Sequence, residues 1–145
     1  MKQQELQLLL FSLGNARYGI DIEQIAALTA ANANPSAISL AELLSSIAFA
    51  DSIYSKQLFI KQNLQTPILI NEPDEVASFS IADIRILPDI LAISAARKGV
   101  WGLLPQGHDI IILLDLYKNQ RFQQLTKMSA DVNSHKQEGY HAQQS

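Results

Sequence analysis

Two aspartates stand where their neighbours make a charge conspicuous. Asp21 sits between two isoleucines in "GIDIEQI", and Asp115 follows the five aliphatic residues of "IIILL". An unpaired carboxylate buried among such residues costs several kcal/mol or more, so each needs either a chemical task or a structural one. Acid–base work requires a partner base within hydrogen-bond reach. The histidines do not supply one: His108 falls in a turn, and His135 and His141 fall in a polar C-terminal stretch. There is no G-x-S-x-G nucleophile elbow and no glycine-rich phosphate loop. The acids Glu72, Asp74 and Glu75 lack the alternating ligands and the glycine of a calcium loop. His135 and His141 have the spacing of a weak metal pair, but their surroundings have the composition of a solvated tail. No catalytic, cofactor or metal site is expected, and the chain does not read as an enzyme.

Capping accounts for both aspartates without chemistry. Asp21 precedes Gln24 by three residues, the spacing of a capping box, and Asp115 lies between the strand-like "DIIILL" and the helix-like "LYKNQRFQQLTK". Ser39 and Glu42 form a second box at the head of the amphipathic "LAELLSSIAF". Asp21, Ser39 and Asp115 are therefore expected to be structural caps, each worth about 1 kcal/mol.

The elements that position these caps come from a chain of 145 residues, 48% hydrophobic and 17% charged, with net charge −3. A chain of this size buries roughly 68–70% of its unfolded surface. Its basic residues are scattered, so there is no stripe for nucleic acid. Cysteine is absent, which removes disulfides and thiolate metal sites. The longest aliphatic run is too short to cross a bilayer, and the N-terminus has no signal-peptide pattern, so a cytoplasmic location is expected and no membrane insertion.

"LQLLLFSL", the turn Gly14-Asn15 and "RYGI" read as a hairpin. Ile22, Ile25 and Leu28 then follow helical spacing for about two turns. Residues 56 to 76 repeat the run, turn and return plan, with Gln7, Leu8, Leu10 and Ile20 matching Gln57, Leu58, Ile60 and Ile70 at an offset of fifty. "SFSIADIRIL" alternates with one slip at Ala82-Asp83, read as a bulge, and Pro88 opens a short helical turn. "VWGLLP", the turn Gln106-Gly107-His108 and "DIIILLD" make a last hairpin, in which Trp101, like Tyr18, is expected to pack in the core. Many short strands between turn residues predict a mostly β fold of small barrels. Residues 1–128 form the folded unit, and residues 129–145 read as a disordered tail.

"LLLFSLGNARYGIDIEQI" and "LPDILAISAARKGVWGLLPQGHDIIILLDLYK" together resemble the two ends of the CheW family of chemotaxis adaptors. Gly19, Ile20, Asp21, Ile22 and Ile25 occupy matching places in the first, and Leu87-Pro88, Gly99-Val100 and the "IILLDL" run do so in the second. The resemblance implies two small SH3-like β-barrels packed together, with short helices and no catalytic residues. It implies an adaptor that binds a histidine kinase regulatory domain or a chemoreceptor. The alternative is a divergent CheW-like regulatory module outside chemotaxis, binding a protein or small ligand. The family's arginine–glycine strand motif is missing, so the first barrel reads as incomplete. Ile38, Leu40, Leu43, Leu44, Ile47 and Phe49 are then a candidate surface for a partner or for a homodimer, unless their segment plugs its own barrel.

Overall fold

The computed structural model describes residues 4–44, 54–73 and 75–130. A five-stranded sheet is built from both ends of the chain and one strand from its middle: β1 (Glu5–Leu13), β2 (Ala16–Asp21), β7 (Glu75–Ser80), β8 (Val100–Gln106) and β9 (Asp109–Leu114). Its order is β7-β1-β2-β9-β8. A four-stranded sheet comprises β3 (Ile25–Ala30), β5 (Lys56–Ile60), β6 (Asn63–Ile70) and the two-residue β4 (Ile38–Ser39), in the order β3-β5-β6-β4. Among the described residues three α-helices accompany the sheets: α1 (Leu40–Leu43), α2 (Asp89–Lys98) and α3, residues 120–130.

The apolar run of β1 lacks polar alternation because both faces of the strand are buried. Leu9, Phe11 and Leu13 join Ile20, Leu58, Ile60, Ile68, Ile70 and Leu114 in a core shared by the two sheets. Leu8 and Leu10 point the other way, into a smaller core with Leu104, Ile111 and Leu113. That smaller core lies inside the curl of the five-stranded sheet, whose open edges are brought together beyond β7. Arg85 bridges Leu103 of β8, with Arg85 N donating to Leu103 O at 2.7 Å and Leu103 N to Arg85 O at 2.9 Å.

The two terminal hairpins meet through a parallel pairing of β2 with β9, from Arg17↔Ile111 to Ile20↔Leu114. Gly19 faces Leu8, Leu10 and Ile111, where a Cβ would come within 3.1–3.4 Å of their side chains. The second hairpin, β5–β6, repeats the plan of the first but not its register. β1 and β2 pair Leu9 with Ile20, whereas β6 sets Ile70 opposite Lys56, not the Phe59 that an offset of fifty requires.

Three local expectations are corrected. The helix expected around Ile22, Ile25 and Leu28 is a single 3-10 turn, Ile22–Gln24, after which the chain extends as β3 and pairs with β5. Two turns of apolar spacing are a weak signal, and the ladder bonds offered by β5 outweigh it. The slip at Ala82-Asp83 is likewise a 3-10 turn, Ile81–Asp83, opened by Ser80 Oγ accepting from Ala82 N at 3.3 Å. Ser129 and Ala130, assigned to the tail, belong to α3; residues 131–145 lie outside the described residues.

Gly99 ends α2 in the left-handed conformation, with φ of 83°. Its carbonyl accepts from Asp115 N at 2.7 Å, and a Cβ there would land on the carbonyl oxygen of Asp115. Gly107, in the β8–β9 turn, has φ of 59° but open space around it. Gly99→Ala is expected to destabilise by more than about 2 kcal/mol, left-handed strain plus a backbone clash, and Gly107→Ala by about 1 kcal/mol from strain alone. Urea denaturation midpoints of the two variants check the difference.

Candidate interaction surface

Both conspicuous aspartates are held by hydrogen bonds. Asp21 Oδ1 accepts from Glu23 N at 2.9 Å as the first 3-10 turn begins. Asp115 Oδ1 accepts from Tyr117 N at 3.1 Å, opening a 3-10 turn at Leu116–Lys118, and from Gln24 Nε2 at 2.6 Å. Leu116 N in turn donates to Gln24 Oε1 at 3.1 Å. Gln24 thus clamps the exit of β2 to the exit of β9. Ser39 Oγ accepts from Glu42 N at 3.2 Å. Glu72 and Glu75 lie near Lys56 and Arg17, at 3.9 and 3.6 Å, and among the described residues no three acids or histidines are placed to hold a metal. His108 is exposed; Asp74, His135 and His141 lie outside the described residues.

The surface expected around α1 is not a surface. Ile38, Leu40, Leu43 and Leu44 are all buried in the larger core, packed with Phe122 of α3. All four side chains on this short stretch are packed into their own core and expose little to a partner, although Leu44 also lines the groove beside α2. Ile47 and Phe49 lie outside the described residues.

Exposed apolar side chains gather instead around α2. None of its ten residues is buried. At 100° per residue, Ala92, Ala95 and Lys98 face the sheet and are half-buried, while Ile90, Ile93 and Arg97 point away from it. Ile90 is 90% exposed and Ile93 73%, and Ile86, just before the helix, is 90% exposed. Each fully exposed isoleucine forgoes about 1.5–3 kcal/mol that burial would return. The helix presents two alanines and Lys98 to the sheet, leaves Leu91 at the edge of a groove and sets two isoleucines outward. Its apolar residues are thus not confined to the inward side, as they are on an ordinary surface helix.

One flank of α2 overhangs a groove of about 500 Å³ lined by Tyr18, Leu44, Leu87, Leu91, Val100, Leu103 and Ile112, with Lys98 and Ser94 as its polar members. Tyr18 stacks on Phe11 at 6.0 Å between ring centroids, and burial raises its phenol above the usual value. The neutral phenol is thereby favoured in the fold, a contribution present below pH ~10 and lost as pH rises further. The opposite flank has a smaller cavity of about 240 Å³ that includes Ile86 and Trp101. Trp101, expected in the core, is 41% exposed. The β8–β9 ladder pairs Val100 with Leu114 and Gly102 with Leu113, so Trp101 is the extra residue of a bulge and is turned outward.

The helix is held by its end. Asn119, fully buried, donates from Nδ2 to Lys98 O at 2.8 Å and to Leu43 O at 3.0 Å, and its Oδ1 accepts from Phe122 N at 2.9 Å. One side chain caps α3 and fixes the last carbonyls of α1 and α2. Asn119 lies inside the segment in which the sequence pattern predicts one helix capped by Asp115; its own local signal is an asparagine three residues before a large apolar residue. Asn119→Ala strands two carbonyls and an amide and is expected to cost about 2–4 kcal/mol. Amide exchange at α2, measured against exchange at β1, should show α2 loosened first.

A scan against known protein families finds no match for this chain, and no curated protein matches it in sequence. Among solved structures, the scaffolding protein TtCheW from Thermoanaerobacter tengcongensis superposes with a TM-score of 0.59 at 18% identity, covering 77% of this chain and 90% of that one. The order of strands, the two curled sheets and this superposition together establish a CheW-like fold.

Proposed function

We propose that this chain is a non-enzymatic adaptor of a chemotaxis-like signalling pathway, binding a histidine kinase regulatory domain or a chemoreceptor. The observation that carries the reading is the apolar groove flanking α2 in a CheW-like fold, with Leu91 still 55% exposed at its edge. Such a groove recognises protein through side-chain burial and asks for no reactive group. The likeness to a scaffolding protein supports the class of function; the partners are inferred by analogy of fold. A cytoplasmic location belongs to the same proposal, and among the described residues no helix is long and apolar enough to cross a membrane.

The test is direct binding of the purified chain to kinase regulatory domains and receptor signalling hairpins from its own cell. Binding to one of them is expected, weakened at least about tenfold by Leu91→Asp, which puts a charge into the groove. Failure to bind any of them would move the function outside chemotaxis and leave the fold as described.

A further inference from the structure

The groove does not explain the outward side of α2. Ile90, Ile93 and Arg97 follow spacings of three and four, one stripe along the helix, and Ile86, in the segment before it, is exposed as well. Asp89 stands in the first turn beside this stripe, and Arg97 in the last. Neither side chain makes a hydrogen bond or ion pair among the described residues. Ile93 lies midway, four residues from each. If a second, identical helix is laid antiparallel with the two Ile93 side chains at the twofold axis, Asp89 of each copy faces Arg97 of the other. Ile90 of each copy then lies beside Arg97 of the other, and the small Ala96 beside Asp89, at the 8–10 Å approach of packed helices.

We infer that two copies of this chain associate through α2, as an antiparallel pair centred on Ile93. The charge pattern is self-complementary about that residue, which is what an isologous contact requires. Parallel pairing would set Asp89 against Asp89 and Arg97 against Arg97. One pair of ten-residue helices buries less than the roughly 1,600 Å² of a standard interface, so a weak, reversible association is expected. The groove lies on the flank of α2, not on its outward stripe, so the pair displays two grooves. The inference does not rest on the adaptor reading: one uses Ile93 and its charges, the other Leu91, and either can fail alone.

Sedimentation equilibrium of the full chain, from about 1 to about 200 μM, should show monomer and dimer in exchange. Asp89→Arg and Arg97→Asp each turn attraction into repulsion at both ends of the pair, and each should weaken association at least about tenfold. Mixing these two single variants should restore association as a heterodimer, and the double variant should regain self-association. The mixture is the decisive arm, because any cost of the altered charge to the helix itself is the same before and after mixing. Ile93→Asp should abolish the dimer with the circular dichroism spectrum unchanged. A monomer throughout the concentration range, a dimer indifferent to the single charge reversals, or a mixture that forms no heterodimer would each overturn the proposal.

Discussion

The whole arrangement hangs on β1 being buried on both faces. A strand whose successive side chains are Leu8, Leu9, Leu10 and Phe11 has no solvent face to offer, so it must lie between two cores and have both edges paired. β2 takes one edge and β7 the other. β2 then has a free edge, which β9 fills in parallel, and that pairing draws the two ends of the chain into one sheet. The four-stranded sheet closes the larger core against Leu9, Phe11 and Leu13, while the curl of the five-stranded sheet closes the smaller one over Leu8 and Leu10. Gly19 reflects the same constraint, since β2 passes so close to Leu8 and Ile111 that the small core has little room for another carbon.

With the smaller core closed by strands and the larger one by strands together with α1 and Phe122 of α3, α2 buries none of its own residues. It is attached through its end, by Gly99 packed on the Asp115 backbone and by Asn119 bonded to the carbonyl of Lys98. Its inward side is Ala92, Ala95 and Lys98, with Leu91 left largely exposed at the groove edge, so hydrophobic burial contributes little to where it lies. Backbone geometry at the β9 exit sets its place. A helix fixed in this way is free to vary its outer face without cost to the fold, and here that face is apolar.

What could be read in the sequence followed from how local each signal was. The two outer hairpins were legible because run, turn and return lie within about twenty residues and the turns carry Gly14 and Gly107 at positive φ. The bonds at Asp21, Ser39 and Asp115 are equally local, each closing within three residues. The β3 segment was not legible, because its partner β5 lies some thirty residues away and two turns of helical spacing look the same with or without it. The outward Trp101 was hidden for the same reason: a bulge is a property of two strands, not of one. The apolar residues around α1 pointed to a surface only while nothing was known to cover them, and Phe122 of α3, nearly eighty residues on, is part of that cover. The true exposed patch was the harder reading. "ILAISAA" has enough apolar residues to look like core packing, and only the placement of the helix end decides which side meets water.

The charges at the ends of α2 separate the accounts of that exposed face. Asp89 near the N-terminus and Arg97 near the C-terminus offset the helix dipole, and each would be worth about 0.3–1 kcal/mol in an isolated helix. Helix stability alone therefore explains the charges. It does not explain the isoleucines, because alanine, glutamate or lysine at positions 90 and 93 would support the same helix better and leave less apolar surface in water. Isoleucine is a middling helix former, and its side chain gains only when something covers it. The same polarity that suits the dipole of one helix makes two such helices complementary when antiparallel. An outward apolar stripe bounded by these charges is thus already half of an interface, and the other half has its sequence.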